Sequence, residues 1–300
     1  MFSPTVTTAF MESFFGRQPE PALYKERIAQ AGKALAEADT VVIGAGAGLS
    51  DAAGLKFAGK KFRTEFADFI SRYGFTDLYT SSFHKFGSEE ERWAYWARHI
   101  DFARFTPPAL PLYKALLSLV EGKDYFVVTT NVDGQFAKSG FEAGRIFEVQ
   151  GDYAYLQCAR ACSDTLVYNE ELVKEMVSRT VECRIPSSLV PRCPCGAAME
   201  PNLRKDGYFV EDERWHRQAG RYGRFIENAA RGRCVLLELG VGFNTPSIIR
   251  FPFERMAACH PRWTLVRFNR AFPQRQMRGR GSFVGFTEDI NLIVKDLSNN

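Results

Sequence analysis

The run Thr40-Val41-Val42-Ile43 passes without a polar break into Gly44-Ala45-Gly46-Ala47-Gly48. Apolar at successive positions, it predicts a strand buried on both faces that ends in a glycine turn, an arrangement supplied by a sheet with helices above and below. Further strands are predicted at Tyr125–Thr129, Ile146–Val149, Cys234–Leu239 and Thr264–Phe268, the last of them closing the sheet. Between them, helical spacing covers Ala22–Ala38, with Leu23, Ile28, Ala31 and Leu35 on one face, then Glu89–Phe105, Leu112–Val120 and Tyr222–Ala230. A helix is also expected from near Leu49, with Ser50 and Asp51 serving its first turn. Alternation of this kind gives an α/β fold, a Rossmann-like parallel sheet.

Composition narrows the class. With 45% hydrophobic residues, 26 Phe and 11 Tyr among 300 residues, the chain has the apolar anchors to fold. Thirty-nine basic against 35 acidic residues leave +4, too balanced for nucleic acid to be the main partner. No apolar run approaches the roughly 20 residues of a membrane span. The stretch 1–21 carries only Arg17, against Glu12 and Glu20, and is expected to be a loose leader rather than a targeting signal. A cytoplasmic setting is the expectation, with the mitochondrion left open.

Four of seven cysteines form two close pairs, Cys158/Cys162 and Cys193/Cys195. An odd total and paired spacing fit a tetrathiolate zinc site better than disulfides, although x3 and x1 spacings depart from the usual x2. Cys183 is a spare ligand should the shorter pair fail to close. Four thiolates leave no position for water, so such a zinc is structural. The organisation that follows is a main domain over 22–157 and 217–300, a helical insertion over about 56–108, and a zinc-binding module over 158–216.

Ligands of open parallel sheets lie beyond the carboxyl ends of the strands. Those ends carry Gly44–Gly48, Asn131 and Asp133, Gln150-Gly151, Gly240/Gly242/Asn244/Thr245, and Asn269. Any one alone is an ordinary polar turn. Together they point to a nucleotide site in which small residues let backbone approach a pyrophosphate. A dehydrogenase would place a ribose-binding acid on a second strand about 20 residues after the glycine turn. Here the next strand comes only near Tyr125, which disfavours hydride transfer and suggests a site capped by a helical insertion.

In order and approximate spacing, GAGAGLSDAAGL (44–55), TTNVD (129–133), Gln150-Gly151, the cysteine pairs, GVGFNT (240–245) and FN (268–269) resemble the sirtuin family from about residue 22 onward. Stretches such as YGFTDLY, WAYWARHI, NEELV, NLRKDG and ELGVGFNTPSIIRFPFE are similar to the macrodomain-linked class M sirtuins, which carry Gln where others have a catalytic His. The resemblance implies an NAD-dependent protein ADP-ribosyltransferase that consumes NAD and releases nicotinamide. It further implies a lipoyl-bearing acceptor akin to the glycine cleavage H protein, a role in oxidative stress, and a macrodomain protein that reverses the modification. Carried over by position, the catalytic residues would be Asn131, Asp133 and Gln150. The NAD site would use Gly44, Ala45, Gly46, Leu49, Ser50, Asp51, Asn131, Asp133, Gln150, Gly240, Gly242, Asn244, Thr245, Asn269 and Asp289.

Two departures matter. Lys56-Phe57-Ala58-Gly59 stands where sirtuins have an arginine-bearing PDFR segment, which alters how the nicotinamide end and the acceptor are handled. Gln150 has no usable pKa, so it cannot act as the general base of a deacylase. Deacylation and a non-catalytic NAD or ADP-ribose sensor are the competing functions. Arg262, Arg267, Arg270, Arg275, Arg278 and Arg280, with no acid between them, read as a solvated loop or as a docking patch for an acidic carrier, with nucleic acid a third option weakened by the near-neutral total charge. His84, His99, His216 and His260 are expected to be bystanders.

Overall fold

A computed structural model describes residues 24–299, so the expected leader and Leu23 lie outside the described residues. Six strands, β1 (Thr40–Ala45), β2 (Asp124–Thr129), β3 (Ile146–Glu148), β7 (Cys234–Leu239), β8 (Trp263–Phe268) and β9 (Ser282–Phe286), form a parallel sheet in the order β3-β2-β1-β7-β8-β9. β4 (Gly151–Cys158), β5 (Val167–Tyr168) and β6 (Met199–Leu203) form a second, antiparallel sheet in the order β5-β4-β6.

The period-two rule sorts the main core. Val41, Ile43, Ala45, Val127, Val235, Leu237 and Val266 face one side, with buried residues of the helices Tyr24–Glu37, Pro111–Val120 and Ile290–Ser298. Val42, Phe126, Val128, Leu236 and Leu265 face the other, with the helices Glu213–Ala229 and Arg250–Cys259. Gly44 serves this packing: a Cβ there would stand 2.6 Å from Ile249 and Phe253.

Several expectations need correction. The helix after the glycine turn spans Ala47–Ala52 and begins at Gly46 without a side-chain cap, so Ser50 and Asp51 do not serve its first turn. The strand Thr264–Phe268 is not the last, since β9 follows it; Gly-rich, half-exposed flanks hide that strand's signal. The small sheet starts at Gly151, ahead of the 158 at which the module was drawn, and the helix Glu213–Ala229 packs Trp215, Ala219 and Tyr222 against the main sheet. Nor are helical insertion and cysteine module separate bodies. Phe62, Phe66, Trp93 and Ile100 share one core with Leu156, Cys158, Val173, Met176 and Cys193. The helix Glu89–Ile100 continues as a π-helical turn over Asp101–Phe105 before the prolines, close to the span expected.

The arginine run also divides. Arg267 is fully buried and paired with Glu238, because β8 is covered on both faces. Arg275 lies over Phe283 and donates to the Gly281 carbonyl. Arg262, Arg270, Arg278 and Arg280 are exposed.

Candidate active site

At the carboxyl ends of β1, β2, β7 and β8 the chain opens a cleft of about 800 Å³. β1 is the switch point, with β2 on one flank and β7 on the other. Connections therefore leave in opposite directions and leave a crevice between them. Gly46, Asp51, Asn131, Gln150, Gly240, Gly242, Asn244, Thr245, Asn269 and Asp289 line it. Gly44, Ala45, Leu49, Ser50 and Asp133 do not line it; they are buried beneath it.

The glycines of the first turn act first on each other's loops. Gly46 N–H donates to Leu239 O and Gly48 N–H to Gly240 O, both at 3.0 Å. A Cβ on Gly48 would stand 2.8 Å from the Gly240 Cα, and one on Gly240 would meet Leu49 N at 2.4 Å. Small residues thus let the β1 and β7 turns touch, while Gly46, Ala47 and Gly48 still present main chain to the cleft.

Below the floor runs a directed hydrogen-bond chain. Ser50 Oγ donates to Asp133 Oδ2, and having spent its only proton it must accept from the Tyr113 hydroxyl at 3.0 Å. Tyr113 in turn accepts from Asn131 Nδ2 at 3.4 Å, and the same amide donates to Gly46 O at 3.1 Å. The Gly46 carbonyl can only accept, which fixes the amide orientation; Asn131 keeps its oxygen as the side-chain group to offer a ligand. Burial pushes the Asp133 carboxyl up, opposed by the bonds from Ser50 and from Gln135 N–H. Burial also holds the Tyr113 phenol protonated.

Gln150 sits half-exposed on the cleft wall at the start of β4. Its turn is fixed by Gly151 at φ +92°, where a Cβ would stand 2.0 Å from the Asn202 carbonyl. Arg204 N–H donates to the Gln150 carbonyl at 3.1 Å. Val149 O accepts from Arg204 Nε and from Trp215 Nε1. Glu148 and Asp152, two residues either side, are buried. Desolvation first, then the charge of Asp152, pushes the Glu148 carboxyl up to about 8 despite Arg214 at 3.2 Å. Neither lines the cleft, and Thr130, Asn131 and Gln150 present amides and a hydroxyl.

Sequence reasoning did not single out Lys56 as a ligand contact, nor Tyr79, Phe83, Arg204 and Lys205, all of which line the cleft. Lys56, in the segment that departs from PDFR, pairs with Asp51 at 2.7 Å. Tyr79 and Phe83 are 60% and 67% exposed and pack edge to face at 5.2 Å, an apolar rim contributed by the helical lobe. Tyr79 and Phe83, four residues apart across a polar Thr-Ser-Ser stretch, are the available signal, but nothing local tells that they face the cleft.

The four cysteine sulfurs lie within 4.8 Å of one another, with Cys162–Cys193 at 3.4 Å and Cys158–Cys195 at 3.7 Å. Sulfurs about 2.3 Å from a tetrahedral zinc stand about 3.8 Å apart, so the set fits a structural zinc. Cys183 is buried elsewhere in the shared core and is not part of the cluster. His99 is likewise internal, between the hydroxyls of Tyr95 and Tyr153 at 3.2 and 3.1 Å, and burial pushes its pKa down to about 3.

No family model matches the chain. Among curated proteins, it is 36% identical over 263 residues to a protein ADP-ribosyltransferase of Staphylococcus aureus (strain Mu50 / ATCC 700699), covering 87% of this chain and 84% of that protein. It is 33% identical over 235 residues, 73% of its length, to a probable bifunctional ADP-ribose hydrolase/ADP-ribosyltransferase of Fusarium oxysporum f. sp. cubense, of which it spans only 38%. Similar solved structures include a Sir2 homologue bound to NAD (TM-score 0.56, 16% identity, 96% of this chain and 97% of that one). Another is a mutant Sir2 homologue bound to ADP-ribose (TM-score 0.55, 15% identity, 90% and 94%). At such identities these two share the fold.

Proposed function

The chain belongs to the sirtuin-class protein ADP-ribosyltransferases, NAD-dependent enzymes, and we propose that its acceptor is a lipoyl-bearing carrier akin to the glycine cleavage H protein. The single observation that favours transfer over deacylation is that the residue lining the cleft with Asn131 at this position is the amide Gln150. A deacylase needs a proton acceptor beside the ribose hydroxyls, and an amide supplies none. Transfer to an acceptor that is already nucleophilic needs orientation and charge stabilisation instead.

NAD brings a positively charged pyridinium leaving group, so cleavage at the ribose C1 releases neutral nicotinamide while the acceptor forms the new bond and gives its proton to solvent. The chain's own residues bind and orient. The main chain at Gly46–Gly48 and the loop 240–245 wall the diphosphate, the Asn131 oxygen and the Gln150 amide hold the nicotinamide riboside, and Tyr79 with Phe83 limits water at the rim. Asp133 acts from below, through Ser50 and Tyr113, as a positioning group.

Exposed Arg270, on the cleft, and Arg278 and Arg280 on the same β8–β9 connection fit an acidic carrier better than the six-residue patch, two members of which are committed to internal contacts. A macrodomain hydrolase would reverse the modification; the Fusarium relative combines both activities in its name. Such a reversible mark on a lipoyl carrier would suit a response to oxidative stress. The test is incubation with labelled NAD and candidate carriers, with and without lipoate. Label on the lipoylated carrier alone is expected. O-acyl-ADP-ribose from an acylated peptide, without protein label, would establish the deacylase instead; NAD binding without nicotinamide release would make the protein a sensor.

A further inference from the structure

Behind the β7–β8 side of the cleft lie four charged side chains shut off from solvent. Arg250, Glu238 and Arg267 have no exposed surface, and Glu254 has 2%. Arg267 meets Glu238 with two nitrogens at 2.7 and 2.8 Å and Glu254 at 2.8 Å; Arg250 lies 3.5 Å from Glu238. Two cations and two anions leave the group neutral, but burial of four charges is costly, and an apolar core would fold as well. Their remaining hydrogen-bonding capacity shows a use.

Every remaining bond goes to one segment. Arg250 Nη2 donates to the carbonyls of Phe272 and Gln274 at 3.0 and 3.2 Å, and Arg267 Nη1 donates to Gln274 O at 2.6 Å. Glu254 Oε2 accepts from the N–H groups of Gln276 and Met277 at 3.0 and 3.1 Å. This is the connection from β8 to β9, whose first residues, Asn269 to Phe272, form a wall of the cleft. The Arg250 guanidinium also lies 4.5 Å from the ring of Phe243, which packs edge to face on Phe272 at 4.8 Å. Phe243 sits in the other loop on this side, whose neighbours Gly242, Asn244 and Thr245 line the same cleft. One buried arginine therefore ties together both loops of the β7–β8 wall.

We propose that Arg250 is a positioning residue for the nucleotide, holding the two loops that receive the adenosine half of NAD. The assignment of that half rests on the reading above, in which Asn131 and Gln150, beyond β2 and β3, take the nicotinamide half. The guanidinium meets both carbonyls through Nη2, faces Glu238 through Nη1 and lies over the Phe243 ring, a spread of contacts that a single ammonium nitrogen cannot make at once. Arg250→Lys keeps the charge and loses that spread.

The experiment measures NAD and ADP-ribose affinity by calorimetry, alongside kcat and KM for NAD, in the full chain. In Arg250→Lys, Kd for both ligands and KM should rise together about tenfold, the loss of one or two charge-assisted bonds, with kcat at saturating NAD within about twofold. Phe243→Leu leaves the charges in place and should raise the same constants at least threefold, which carries the test if the lysine variant does not fold. Unchanged Kd values in a folded variant would overturn the proposal, as would a fall in kcat at constant Kd. Failure of the native protein to bind either ligand would instead remove the reading of the cleft on which the proposal stands.

Discussion

Ser50 Oγ stands 2.5 Å from Asp133 Oδ2, joining the helix after the glycine turn to the loop after β2 without either side chain entering the cleft. The pair orders donors and acceptors up to Asn131, so its loss should act on the site at a distance. Ser50→Ala would leave Tyr113 without its acceptor and Asp133 with one bond fewer. We expect a stability loss of about 1–3 kcal/mol by denaturant melts and a drop in kcat with NAD binding largely kept. Unchanged kcat would show that the chain is scaffolding alone.

Asn131→Ala should nearly abolish transfer, since its amide both closes on Gly46 O and faces the cleft. For Gln150→Ala, loss of one orienting bond predicts about ten- to a hundredfold slower transfer, with NAD binding partly intact. Native deacetylation should be negligible. Robust native deacetylation together with a harmless Gln150→Ala would refute the assignment.

Purified without chelator, the protein should carry close to one zinc per chain. Because Cys158 and Cys193 belong to the core that also holds Phe62, Trp93 and Ile100, chelation should lower the melting of the whole second lobe and not just of the cysteine loops. Hydrogen exchange over residues 59–100 is the readout. Protection there that ignores zinc removal would contradict the shared core.

Glu148 gives a pH signature. Its carboxyl is pushed from 4.5 to about 8 by burial and by Asp152, so across that interval the folded chain keeps a proton that the unfolded chain has lost. Stability from this group is therefore lost as pH rises between those limits. Glu148→Gln should flatten the decline, gaining on the native protein at pH 9 relative to pH 5. Parallel Tm curves for the two proteins would mean that Arg214 at 3.2 Å keeps the carboxylate ionised.

What the sequence disclosed follows from what is local. Strands β1, β2, β7 and β8 are short runs buried on both faces, and such runs announce themselves; so do the glycines and polar residues that follow them, among which Gly46, Asn131, Gly240, Gly242, Asn244, Thr245 and Asn269 line one cleft. β9, Ser282-Phe283-Val284-Gly285-Phe286, alternates buried with partly exposed positions beside glycines and lacks that signature. Ser50 and Asp133 look like cleft residues by position, and only the inward turn of their side chains puts them below the floor. Arg267 looked like a surface charge because its partners Glu238 and Glu254 are distant in sequence. Tyr79 and Phe83 reach the rim through the packing of the helical lobe, which no spacing rule encodes.

The register of β1 carries a consequence for how such a protein can change. Ala45 pairs across with Thr129 on one side and Leu239 on the other, so the loops from three strands leave the sheet at one level. A single inserted residue within 40–45 would reverse every following side chain between the two helix layers and tilt those exits out of line. The helical stretch over 59–105 within the excursion between β1 and β2 is under no such restriction, since its core is shared with the cysteine module and not with the main sheet. Diversification in length should accordingly fall on that stretch and on the β8–β9 connection beyond its pinned carbonyls, while the six residues of β1 admit substitution by size but not insertion.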